Sequence, residues 1–198
     1  MYLSTNFVNK IKPLLFLLLI FPSFFWFLKF IKGNFGVNPI DNLMDELGQF
    51  SIQLLILTLL ISSISKFKSL RSLQNIRRMI GLFTFYYVTL HFLTYIILDH
   101  FFNFNFIIKD VIKRPFITLG FISFILLIPL VITSTNYMIK KMTFIKWKRL
   151  HSLIYFIAPL AAIHYYLLKK ADKSEPLIYL MIILFLLIWR IFQRLLRI

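Results

Sequence analysis

The chain has 198 residues, of which 60% are hydrophobic, and a mean hydropathy of +0.82. Soluble domains are about 45–50% apolar, so this composition predicts an integral membrane protein and leaves no room for a soluble catalytic domain of ordinary size. There is no cysteine, which excludes disulfides, thiolate metal sites, cysteine-ligated iron–sulfur clusters and covalently attached haem. The net charge of +16 would suggest nucleic acid in a soluble protein, but here the positions of the charges point to membrane topology and lipid instead.

Six apolar segments approach the roughly 20 residues that an α-helix needs to cross the hydrocarbon core. Because lipid satisfies no backbone hydrogen bond, each is predicted to be helical. The first follows two lysines but lacks a small-residue cleavage site, so it is expected to be an uncleaved span rather than a signal peptide. The fold predicted is an all-α, integral membrane six-helix bundle forming one domain over residues 1–198. Its spans are 13–31, 47–64, 79–98, 116–135, 150–168 and 176–193.

The connectors alternate in charge, which fixes the expected orientation. One alternate set contains basic residues and no acid: Lys10, Lys12, Lys66, Lys68, Arg71, Arg77, Arg78, Lys140, Lys141, Lys146, Lys148, Arg149, Arg190, Arg194 and Arg197. The other set holds fewer basic residues and all seven acids: Asp41, Asp45, Glu46, Asp99, Asp110, Asp172 and Glu175. The positive-inside rule then predicts that both termini are cytoplasmic.

Other features of the sequence are less specific. The segment 101–115 is aromatic and then charged, and it is interpreted either as lying along the outer interface or as part of a partner's docking surface. Trp147 stands at a membrane edge, where it is either a belt residue or a cofactor wall. No internal repeat is evident. No acidic residue lies within a span, which argues against a proton-coupled transporter.

Two of the four histidines lie at matching depths on separate spans. His91 follows Arg78 by thirteen residues and His164 follows Arg149 by fifteen, which at 1.5 Å per residue places them about 20 and 22 Å from the cytoplasmic edge. Two imidazoles that face each other across a bundle can hold one haem iron from both sides. The alternative is a pair of structural histidines, each bonded to a neighbouring helix.

His151 lies about 3 Å past Arg149 and about 20 Å along the axis from His164, so these two cannot share an iron. It is a candidate ligand for a second cofactor near the inner face, where a single axial histidine, another ligand or a flavin would be needed. His100, after Asp99 at the outer boundary, is interpreted as an interfacial residue.

Five motifs in this order resemble the MsrQ family. They are RRxxGL, TLHxxxY, RPxxTLG, TST and LHxxxY, within the segments 76–95, 113–123, 129–138 and 147–165, and GVNPIDNLMDELGQFSIQLLILTLLIS at 36–62 fits the same pattern. This family is the haem-binding membrane subunit of the bacterial periplasmic protein-methionine-sulfoxide reductase system, within the wider ferric-reductase-like transmembrane group.

The resemblance implies a six-helix protein of the bacterial inner membrane that binds b-type haem, one or two per chain, with FMN also attributed to the family. Electrons come from quinol or a cytoplasmic flavin reductase and go to a separate periplasmic molybdopterin-containing reductase that repairs oxidised methionines. His91, His151 and His164 match the family's haem histidines. Arg77 and Arg78 fall in its RR motif, near propionates, a quinol or a flavin phosphate. The wider group often has four histidines in two facing pairs, whereas only three histidines of this chain are in register, so a complete second bis-histidine haem is not expected.

Two other functions remain open from the sequence. One is a stand-alone ferric reductase of the same architecture, and the other is a non-redox scaffold or transporter with structural histidines. The short chain carries no flavin or nicotinamide domain, so donor and acceptor are expected to be separate proteins.

Overall fold

The computed structural model describes residues 4–196, apart from the side chain of Arg194; the C-terminal Arg197 of the basic set therefore lies outside the described residues. Within that range the chain is all-α. Its α-helices are α1 (Thr5–Ile31), α2 (Pro39–Ile64), α3 (Gln74–Leu93), α4 (Phe104–Lys113), α5 (Pro115–Ile132), α6 (Asn136–Met142), α7 (Phe144–His151), α8 (Ile154–Leu168) and α9 (Ser174–Leu195). A 3-10 helix, Lys68–Leu73, precedes α3, and a π-helix, Thr94–Asp99, follows it.

Six helical segments of the described chain are long and apolar enough to cross a membrane, as the sequence predicts. All but the fourth are longer than predicted. The third and fifth are composite: Lys68–Asp99 includes the 3-10 and π-helical turns, and Phe144–Leu168 joins α7 to α8. The π-helical turn begins three residues after His91, and such turns often occur beside functional residues. The protein is a multi-pass membrane protein.

The chain divides into two compact units, one ending at Asn103 and the other beginning at Phe104. The first unit is built from α1, α2 and α3, and the second from α4 to α9. The expectation of a single domain stays a prediction, and each unit is described by itself below.

In the first unit, α2 packs along α3 around a core of buried aliphatic and aromatic side chains. α1 leaves most of its apolar side chains exposed, among them Phe16, Phe21 and Phe24, as suits a helix that faces lipid. It ends where Gly33 adopts a φ of +68°, a conformation that costs glycine little.

A tyrosine of α3 forms hydrogen bonds with the backbone of α1 next to a proline. The hydroxyl of Tyr87 donates to the carbonyl of Leu19 at 2.6 Å and accepts the amide of Ser23 at 3.2 Å. In an uninterrupted helix this amide would bond that carbonyl directly. Pro22, which has no amide proton, lies between these two groups, and the hydroxyl of Tyr87, a residue with 0% exposure, bridges them.

In the second unit, α5 packs along α8, and α8 packs along α9. The core includes Ile157, Ala158, Ala162 and Ile183, all with 0% exposure. The small alanines of α8 let its neighbours approach closely, a common device where helices pack in membranes.

The two units share a sequence that inspection of the spans alone misses. LGQFSIQLLI (47–56) in α2 and LGFISFILLI (119–128) in α5 have in common Leu-Gly, a serine three residues later, and Leu-Leu-Ile. Both serines, Ser51 and Ser123, are buried and donate to a carbonyl of the preceding turn. The likeness covers these two ten-residue segments, and the expectation of no internal repeat stays a prediction.

Candidate functional site

His91 projects from α3 onto the surface of α2. Its ring nitrogen Nδ1 lies 2.8 Å from the carbonyl oxygen of Met44. Gly48, one turn further along α2, forms the surface beneath the ring: a Cβ added there would lie 3.0 Å from Nδ1 and 3.1 Å from Cε1. The imidazole is half-buried. α2 thus supplies both the hydrogen-bond acceptor and the space for this histidine.

His164 projects from α8 onto α5 in the same way. Its Nδ1 lies 2.6 Å from the carbonyl oxygen of Phe116, and a Cβ added at Gly120 would lie 2.9 Å from both Nδ1 and Cε1. The carbonyl again precedes the glycine by one helical turn. The ring of Phe116 lies 6.4 Å from the imidazole, centroid to centroid.

These contacts fix which nitrogen of each ring carries the proton. A carbonyl oxygen can only accept a hydrogen bond, so Nδ1 of His91 and of His164 is assigned as the N–H donor. In the neutral ring, the lone pair then lies on Nε2. Histidines that bind metals commonly have this arrangement, with the other ring nitrogen donating to a backbone carbonyl.

His151 has the opposite arrangement. Its Nε2 lies 3.0 Å from Oγ1 of Thr133, and the same hydroxyl donates to the carbonyl of Pro129 at 2.6 Å. Since the hydroxyl proton is used on Pro129, Oγ1 accepts from His151, which assigns the imidazole proton to Nε2 and the lone pair to Nδ1.

Trp147, the residue one turn before His151 on α7, completes this cluster. Its indole ring stacks on the imidazole with centroids 4.1 Å apart, and its Nε1 donates to the carbonyl of Thr133 at 3.0 Å. The structure therefore brings Trp147 and His151 together on the C-terminal end of α5. Thr133 belongs to the TST motif at the end of the fourth predicted span, and nothing in the sequence shows that its hydroxyl contacts a histidine eighteen residues away.

The two arginines of the RR motif lie near the start of α3, in the first unit. Arg77 is half-buried, with Nη1 3.5 Å from Oγ of Ser62 on α2, and Arg78 is exposed. His100, after the π-helical turn, packs its ring edge-on against Tyr95 at 4.4 Å and lies 3.8 Å from the carboxylate of Asp99. Both contacts suit the interfacial role expected of His100.

Arg78 occupies the same position relative to His91 as His151 occupies relative to His164. Arg78 precedes His91 by thirteen residues, and His151 precedes His164 by thirteen. The second half thus has a histidine where the first has an arginine. In the described part of the chain, no group of three or more His, Asp or Glu side chains comes together as a metal site.

Comparison with known proteins shows the family to which this chain is similar. The family described as "Ferric reductase like transmembrane component" matches residues 47–162. The protein-methionine-sulfoxide reductase heme-binding subunit MsrQ of Caulobacter vibrioides is 47% identical over 81% of this chain and 77% of its own length. Those of Herminiimonas arsenicoxydans and Azospira oryzae are 42% and 37% identical, over 93% and 94% of this chain and 86% and 81% of their own lengths.

The chain belongs to the MsrQ family. The resemblance seen in the motifs is therefore confirmed. The ferric-reductase-like match begins at Leu47, beside Gly48, and ends at Ala162, just before His164. The names of these MsrQ relatives describe a heme-binding subunit.

Proposed function

We propose that this protein is a haem-binding, electron-transferring membrane subunit of a protein-methionine-sulfoxide reductase system, with His91 and His164 as ligands of haem iron. The observation that carries the proposal is the same construction in both units. Each histidine gives its Nδ1 proton to a helix carbonyl and lies over a glycine one turn further on.

The residues of each unit fit a haem ligand on chemical grounds. An iron-binding imidazole must be neutral, must have its lone pair on one nitrogen, and must be held in one orientation. Hydrogen bonds of 2.8 and 2.6 Å to carbonyls meet these needs without a carboxylate inside the membrane. A histidine kept only for helix packing would not need the same acceptor and the same glycine on two different helices.

Haem, when bound, supplies one-electron redox chemistry at its iron. The chain itself would supply neutral nitrogen ligands and would fix the plane of each ring through its carbonyl acceptor. That His91 and His164 bind the same iron follows from their matched depth in the sequence and stays a prediction.

A second cofactor site is proposed at the cytoplasmic side, near His151. The neutral tautomer assigned there would bind a metal through Nδ1 and not through Nε2. Stacked Trp147 and His151 could equally form the wall of an FMN site. Arg77 and Arg78 are the cationic groups proposed to meet propionates, a quinol or a flavin phosphate.

The wider reaction is proposed from family membership. The chain would lie in the bacterial inner membrane with both termini in the cytoplasm. It would receive electrons from quinol or a cytoplasmic flavin reductase and deliver them to a periplasmic molybdopterin-containing reductase of oxidised methionines. The named relatives support the reductase system as the context, and the basic connectors support the orientation.

The test is the absorption spectrum of the purified protein, oxidised and reduced with dithionite, with the haem quantified as pyridine haemochrome. We expect b-type haem at about one or two per chain, the range that the family resemblance implies. His91→Ala and His164→Ala are each expected to abolish the same low-spin signal. Retention of that signal in both variants would refute the shared iron, and a colourless wild-type protein after adequate haem supply would refute haem binding altogether.

One control variant and two further measurements separate related functions. His100→Ala should leave the spectrum unchanged, since His100 lies at the outer boundary with Tyr95 and Asp99. Reduction of ferric iron in the absence of any periplasmic reductase would favour a stand-alone ferric reductase. Fluorescence of flavin released on denaturation would decide whether FMN is bound.

A further inference from the structure

The shared Leu-Gly sequence places a glycine under each of the two histidine rings. The third glycine of the described helices, Gly81 in α3, serves as a comparison. A Cβ added at Gly81 would meet only a methyl group of Thr58, at an ordinary contact distance of 3.7 Å. At Gly48 and Gly120 the nearest atoms are imidazole atoms at 3.0 and 2.9 Å. The close approach is specific to the histidine sites.

The hydrogen bond explains why the approach must be so close. In an α-helix, the carbonyl of Met44 already accepts the amide of Gly48, and that of Phe116 accepts the amide of Gly120. Such a carbonyl is directed along the helix and is covered by the residue four positions later. A side chain from another helix reaches it only by lying flat on that residue, so a Cβ there would lift the ring off the carbonyl.

We infer that Gly48 and Gly120 are positioning residues for the histidine ligands: each lets an imidazole reach the carbonyl one turn before it, and so sets both the orientation of the ring and the basicity of its Nε2. This inference rests on the proposed function, since it concerns the histidines as ligands. It assigns a role to residues that contact neither iron nor porphyrin and act only through His91 and His164.

The role has a redox consequence with a definite sign. A hydrogen bond from Nδ1 to a carbonyl gives the imidazole more anionic character and makes Nε2 a stronger donor. A stronger donor favours the ferric over the ferrous state. Substituting alanine for either glycine displaces the ring and weakens this bond, so the midpoint potential of the low-spin haem should rise.

The experiment compares Gly48→Ala, Gly120→Ala and the control Gly81→Ala in the purified full-length protein. Three quantities are measured: haem per chain, the electron paramagnetic resonance spectrum of the ferric low-spin state, which depends on the orientation of the ligand rings, and the midpoint potential. We expect both histidine-site variants to show a shifted low-spin spectrum, a raised potential and a loss of haem retention on the order of 10- to 100-fold in affinity. Gly81→Ala should match the wild type.

Gly120→Ala is expected to have the larger effect, because an added Cβ would lie 2.9 Å from both Nδ1 and Cε1 of His164, compared with 3.0 and 3.1 Å from those atoms of His91 at Gly48. Wild-type spectra, potential and haem content in both Gly48→Ala and Gly120→Ala would overturn the inference. The proposed function fails separately, by an absence of haem in the wild type or by persistence of the signal in His91→Ala and His164→Ala.

A variant that does not accumulate in the membrane is still informative through a double substitution. In the His91→Ala background, alanine at position 48 meets no imidazole, so the level of accumulated protein should return to that of His91→Ala alone. The same holds for position 120 with His164→Ala. Recovery supports the contact between the glycine and the ring, and continued absence of the protein in both pairs overturns it.

Discussion

At the scale of single residues, the three candidate histidines differ in how their ring nitrogens are used. His91 and His164 donate from Nδ1 to carbonyls, whereas His151 donates from Nε2 to the hydroxyl of Thr133. Their sequence neighbourhoods do not reveal this difference, because the deciding acceptors lie on other helices, between eighteen and 48 residues away. A motif identifies candidate ligands, but the hydrogen-bond partner of each ring decides which of its nitrogens keeps the lone pair that could bind a metal.

His151→Ala is expected to leave the low-spin signal of His91 and His164 in place. His151 lies at the other end of its span from His164, about 20 Å along the axis, so the loss of its ring cannot remove a ligand from that iron. The measurement is the same oxidised and reduced spectrum. Disappearance of the low-spin signal from a His151→Ala protein of normal helix content would place His151 at the same iron.

Thr133→Val is the matching test of the inner cluster. Valine keeps the branched shape but removes the oxygen that accepts from His151, so whatever signal depends on His151 should change while that of His91 and His164 does not. Ser134→Ala is the control, since the hydroxyl of Ser134 donates to the carbonyl of Leu130 and not to a histidine. Identical spectra for Thr133→Val and the wild type, in a protein with a signal that His151→Ala removes, would show that the hydroxyl is dispensable.

At the scale of elements, the sequence predicts the spans well and their internal breaks poorly. The length of the apolar segments alone locates all six spans, because a helix needs about 20 apolar residues to cross the hydrocarbon core. Hydropathy does not encode the turn at Ser152 and Leu153 that separates α7 from α8, nor the π-helical turn after His91. The same applies to the glycines: RPxxTLG includes Gly120, but only the structure shows that its missing side chain accommodates an imidazole.

The hydrogen bonds between the hydroxyl of Tyr87 on α3 and the backbone of α1 should stabilise the folded protein. Tyr87→Phe leaves the amide of Ser23 and the carbonyl of Leu19 without the bridging hydroxyl in an apolar segment, which should cost about 1–3 kcal/mol. Thermal unfolding in detergent measures it. Tyr86→Phe is the control: its hydroxyl bonds only the side chain of Ser23 in the contacts resolved for it, so a smaller loss is expected. Equal unfolding midpoints for the two variants would contradict the bridging role.

At the scale of the whole molecule, family membership and the number of spans follow from the sequence, and the orientation is predicted by the basic connectors. The absence of cysteine makes the orientation easy to test. Lys140→Cys, in the connector between α5 and α7, should react with a membrane-impermeant maleimide only after the cells are lysed. Lys170→Cys, between α8 and α9, should react in spheroplasts. Both side chains are exposed, so the reverse pattern would invert the topology.

The Leu-Gly sequence that α2 and α5 share can be found in the amino-acid sequence, but the role of its glycines cannot. The similarity between 47–56 and 119–128 is printed in the sequence, yet it gains meaning only because both glycines lie beneath histidines. The matching depths of His91 and His164 identify the same two histidines independently of this shared sequence. The acceptors Met44 and Phe116 could not be predicted, since any residue type can offer a backbone carbonyl.

The bridge made by Tyr87 also sets an order of events during biosynthesis. The amide of Ser23 and the hydroxyl that completes its hydrogen bond are separated by 64 residues of chain. At about 5–20 residues per second, the ribosome needs roughly 3–13 s to synthesise that length. The first span therefore emerges well before the tyrosine that bridges these two groups, and the hydrogen bonds between α1 and α3 form only after the third span has been synthesised. A pause in translation between α1 and α3 would prolong the interval in which the first span lies in the bilayer without these bonds.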